Sequence, residues 1–163
     1  ASALAFNAWR IAKDHAIKLH NQHFTYQDDK QRLTVIIEYL YFQIHIVDRL
    51  THTMVTPEDR QALISELAAK LGTIVQDNSY DLFGPGNYSH YFIDGLNNRN
   101  HEYSEFNLNA DGPSYPMSRH LGHQIQQIMG TDATNRWLMD QVMDQDSQEI
   151  YRQITKTTHG LIS

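Results

Sequence analysis

Six residues of one stretch, Glu38, Tyr41, His45, Asp48, Arg49 and His52, come closest in type and spacing to a chemical site. At about 100° per residue they fall within a single helical arc of roughly 100°. The remainder of the surrounding segment is almost wholly apolar, with Gln43 and Thr51 as mild exceptions. A wet helical face ordinarily carries Lys, Gln and Glu, whereas this arc holds two imidazoles, two carboxylates and a phenol. Imidazoles and carboxylates together can relay protons or ligate a divalent cation. Glu38 and His45 stack two turns apart, as do His45 and His52, while the three-residue step from His45 to Asp48 lets two ligands on one helix meet one ion. The plainer alternative is a helix that crosses the middle of the molecule and has this arc as its only wetted side.

Other segments supply partners for the sharper reading. His15 lies among Leu4, Ile11 and Leu19 on an apolar face, and Arg99 and Glu102 fall within the stripe set by Phe92, Gly95, Tyr103 and Phe106. A carboxylate on such a stripe needs a cation, hydrogen-bond donors or a metal, because an unpaired buried charge is prohibitive. An Arg99–Glu102 ion pair at i,i+3 is the simplest answer. His15, Glu38, His45, Asp48 and Glu102 are the candidate ligands of a divalent transition metal such as Zn²⁺, Fe²⁺ or Mn²⁺. No motif selects that set. The Glu-x-x-His pairs of carboxylate di-iron bundles are missing, since Glu38 leads to Tyr41, Glu102 to Glu105 and Glu105 to Leu108. The zinc-protease His-Glu-x-x-His pattern is absent too, and His120 reads as hydrogen-bonded packing.

Other chemistries find less support. Without cysteine there are no disulfides, thiolate ligands or covalent haem attachment, and no histidine stands out as an axial ligand. There is no Gly-x-Ser-x-Gly elbow, and Gly84-Pro85-Gly86 lacks the Gly-Lys-Ser/Thr ending of a phosphate loop. Tyr91, Tyr103, Tyr115 and Trp137 form a different candidate, a partner-binding or homodimer surface, because tyrosine combines a large apolar body with a polar tip.

The elements that must position these residues follow the helical period of three and four. The spacing predicts helices over about 3–23, 31–54, from a Thr56-Pro57-Glu58-Asp59 start onward, 87–106 and 116–129, with Gly130 as a stop. A sixth helix, capped at Thr131 or Asp132, runs through Trp137, Leu138 and Val142, and a final one starts near Ser147. Residues 107–116 read as a long polar loop. The expected fold is an all-α antiparallel bundle of about five to seven helices in one domain, residues 1–163, the alternative being an irregular orthogonal all-α domain.

The 163 residues suffice for a core without covalent staples, and the net charge of −6 with scattered Lys and Arg argues against a nucleic-acid binder. The most apolar run, 35–50, is interrupted by charges and does not read as a membrane span. The cytoplasm is the expected location. The chain begins at Ala1 rather than Met, which leaves room for a processed segment ahead of it. The function expected first is a non-catalytic bundle acting through protein or small-ligand contacts. The alternative is a metal-binding bundle with redox or hydrolytic activity at the arc.

Overall fold

A computed structural model describes residues 1–22, 24–130 and 137–162. The protein is all-α. Helices α1 (Ser2–Asn21), α2 (Asp29–Thr51), α3 (Pro57–Phe83), α4 (Tyr88–Tyr103) and α5 (Tyr115–Met129) are followed by a short α6 (Leu138–Gln141) and by α7 (Ser147–Ile162). The expected caps Thr131 and Asp132, and the expected end of the first helix at His23, lie outside the described residues.

Local chemistry sets the boundaries. Asp28 caps α2 by accepting from Gln31 N at 2.8 Å. Thr56 caps α3, with Pro57 in the first turn and Glu58 and Asp59 at the positive end of the dipole. Ser114 caps α5, and Gly130 ends it. Gly84 ends α3 at a φ of 81°, a backbone conformation open to glycine and strained for other residues.

Two expectations are revised. The loop 107–116 contains a minimal antiparallel hairpin, pairing Leu108 with Pro113 and Asn109 with Gly112. The last two helices are joined by a π-helical turn, Val142–Asp146, so the chain stays helical from Leu138 to Ile162. A π turn accommodates one extra residue without breaking a helix, so a change of apolar phase there reads in sequence as a boundary.

Helix α2 is the centre of the molecule and packs against α1, α3, α4, α5 and α7. Its buried residues run almost unbroken from Val35 to Val47. Side-chain pairs fix the directions of its neighbours. Gln43 Nε2 donates to Ala8 O while Tyr39 meets His15, so α1 and α2 are antiparallel. His15 with Gln153 and Lys18 with Glu149 make α1 and α7 antiparallel, and Gly72 against Phe92 with Gln76 bonded to Ser89 does the same for α3 and α4. The pairs between α2 and α4 (38 with 99, 41 with 92, 49 with 103) do not run in step, so α4 crosses α2 obliquely.

Candidate functional site

The polar arc of α2 faces neighbouring helices, mainly α4, and its two ends have different fates. Glu38, Tyr41 and His45 are buried, whereas Asp48 and Arg49 are half-buried and His52 is exposed. At the outer end Asp48 accepts from Arg60 Nε of α3 at 2.7 Å, and Arg60 Nη1 lies 2.8 Å from His52 Nδ1. Arg49 Nη2 donates to Tyr103 O at 3.2 Å and Phe106 O at 2.6 Å, tying α2 to the backbone at and just after the end of α4. These three residues clamp elements together.

The buried end is a polar cluster shared with α4 and α5. Arg99 Nε lies 3.2 and 3.0 Å from the two Glu38 oxygens, Arg99 Nη2 donates to Oε1 at 3.0 Å, and Arg99 Nη1 donates to Glu102 at 2.9 Å. His120 Nε2 stands 3.3 Å from the same Glu102 oxygen, with its ring edge-on to Tyr103. The expected Arg99–Glu102 pair is therefore present, but the buried carboxylate that requires Arg99 is Glu38 on another helix. Burial raises the Glu38 carboxyl above its ordinary range against the opposing pull of Arg99. His45 lies against the Tyr103 ring with Nε2 buried and unpartnered. Burial, reinforced by Arg49, lowers its pKa to about 4.

His15 belongs to a second cluster, between α1 and the π turn. Asp146, fully buried, accepts from the Tyr39 hydroxyl at 2.9 Å and from Gln141 Nε2 at 3.3 Å. His15 places Nδ1 3.6 Å from Asp146, too long for a hydrogen bond, and Nε2 3.0 Å from Gln153 Oε1.

The five candidate ligands thus divide three ways: Glu38, Glu102 and His45 in the α2–α4–α5 cluster, Asp48 on Arg60, and His15 beside Asp146. Among the described residues no group of three or more His, Asp or Glu side chains is arranged to hold a metal ion. The aromatic candidates divide as well. Tyr91, Tyr115 and Trp137 are largely exposed, but Tyr103 is fully buried between Phe42, His45 and His120 and cannot belong to a surface. Its place on α4 faces the α2–α5 junction, a relation that helical spacing on α4 alone does not contain.

What reasoning on single helices missed is a groove of about 590 Å³ where α2, the end of α3 and the start of α4 meet. Its walls are chiefly Leu33, Ile37, Val75, Phe83, Tyr88 and Phe92, and the Glu38–Arg99 pair lines its polar end. The groove's shape depends on two close fits. Gly95 lets Tyr41 donate to Phe92 O at 3.0 Å, since a Cβ at Gly95 would overlap the Tyr41 hydroxyl. Gln76 pins the α3–α4 turn by donating to Gly86 O at 2.8 Å and accepting from Ser89 N at 2.9 Å. The one sequence signal was Phe83, an aromatic residue that stands just before the Gly84-Pro85-Gly86 break, lines the groove and is exposed.

No protein family, curated protein or solved structure matches the chain. No described helix is long and apolar enough to cross a membrane.

Proposed function

We propose that the protein is a non-catalytic binding protein that takes a small, largely apolar ligand into the groove between α2, α3 and α4. The observation that carries this reading is the concave volume of about 590 Å³, walled by aliphatic and aromatic side chains and ending on a fixed polar pair. Small-molecule sites have this composition, with volumes of roughly 300–1,000 Å³ and a few polar groups that set orientation. The polar end is preorganised, because Glu38 and Arg99 are locked to each other by several hydrogen bonds. Tyr91 lines the rim, so one member of the expected partner-binding set takes a role in ligand contact. Tyr115 and Trp137 do not line the groove.

A neutral fluorescent probe, N-phenyl-1-naphthylamine, tests the proposal. Saturable enhancement at one site is expected with the wild-type protein. Ile37→Trp, which puts a bulky ring on a half-buried wall position, is expected to weaken it by about tenfold or more while leaving the helical circular dichroism unchanged. Equal enhancement by wild type and a folded Ile37→Trp protein, or none by wild type, overturns the reading.

A further inference from the structure

Building on the groove reading, we infer that the ligand is an organic cation, an amine or quaternary ammonium attached to an apolar body. Two independent observations point this way. The first is the aromatic content of the walls. Tyr41, Phe83, Tyr88, Tyr91 and Phe92 all line the groove, with Tyr41 and Phe92 centred 5.2 Å apart and Phe83 and Tyr88 6.3 Å apart. Ring faces carry negative potential and attract ammonium groups, most strongly where water is excluded.

The second is charge. Arg99 is the cation at the groove's polar end, and its single positive charge faces two carboxylates, Glu38 within the groove and Glu102 directly behind it. Arg99, Glu38 and Glu102 together carry one formal net negative charge. The other cation of the lining, Lys30, is exposed at the rim, and it precedes Glu38 on α2 by eight residues, about 12 Å along the helix axis. Its field at the polar end is weakened by solvent and ions. The chain's net charge of −6 adds a favourable background. An anionic head at the same place would meet the excess carboxylate with no free guanidinium charge to answer it.

The test uses a pair of matched shape, benzyltrimethylammonium and its neutral isostere neopentylbenzene, titrated into the full chain by NMR, with phenylacetate as the anion. The ammonium compound is expected to bind about tenfold more tightly than neopentylbenzene, and phenylacetate most weakly of the three. Glu102→Gln keeps a hydrogen-bond acceptor for Arg99 while removing the surplus charge. It is expected to lower the preference for the cation by about threefold or more and leave neopentylbenzene binding unchanged. If neopentylbenzene binds and the ammonium compound gains nothing, or if the preference survives Glu102→Gln intact, the cation inference falls and the groove reading stands. If neither compound binds the wild-type protein, both fall.

Discussion

At the residue scale, His45 shows how a side chain suited to chemistry is put to use by its surroundings. Its ring is buried against Tyr103 and near the charge of Arg49, and its pKa falls from an ordinary value of about 6.5 to about 4. Between those values the unfolded chain binds a proton that the native state refuses, so stability falls as pH is lowered through that window. The loss reaches about 3 kcal/mol near pH 4, because a tenfold change in proton affinity is worth about 1.4 kcal/mol. His45→Gln removes the titration. Urea unfolding from pH 7 to pH 4 is expected to show the wild type losing about 3 kcal/mol more than the variant, and parallel profiles would refute the burial of a neutral imidazole. The comparison isolates His45, because the carboxylates, Glu38 included, titrate in both proteins.

At the scale of elements, the π turn matters because it carries Asp146. Tyr39 and Gln141 donate to this carboxylate, and His15 stands beside it, so α1, α2, α6 and the π turn converge on one fully buried group. Removing one member of such a network costs more than the net worth of its bonds, because the others remain buried and unpaired. Asp146→Ala is expected to destabilise the protein by about 3–5 kcal/mol, measured by equilibrium urea denaturation. Asp146→Asn keeps an acceptor for the Tyr39 hydroxyl and should cost less. A loss under about 1 kcal/mol for the alanine variant would mean that the network is ornamental to stability. The sequence contains no sign of this arrangement, because Tyr39 and Asp146 stand 107 positions apart. Helical periodicity relates neighbours on one helix and is blind to such pairs.

At the scale of the molecule, α2 is covered by five other helices, and its buried run from Val35 to Val47 gives it the densest surroundings in the chain. Opening those amides to solvent requires near-global unfolding, whereas α7 and the outer turns of α3 can open locally. Native-state hydrogen exchange is therefore expected to place the slowest amides at positions 35–47. Equal protection in α3 or α7 would show that the core is not organised around α2. The groove is a consequence of the same arrangement. An α4 that crosses α2 obliquely, while running antiparallel to α3, leaves a wedge between the three helices.

How much of this was legible in the sequence depends on the range of the interaction concerned. The all-α class, the starts of α2, α3 and α5, and the stop at Gly130 follow from i,i+3 and i,i+4 patterning, capping hydroxyls and carboxylates, and glycine, all of which act within a turn or two. The same periodicity marked the arc on α2 as special; Glu38 and Glu102 share Arg99, while His45 is linked to them only through the Tyr103 and His120 rings. Tertiary structure decided what the arc faces. It gave Arg99 to Glu38, sent Asp48 to Arg60 and His15 to Asp146, buried Tyr103, and opened the groove. Those outcomes turn on how helices cross, and crossing is set by side-chain packing over the whole core, which no single helical face encodes.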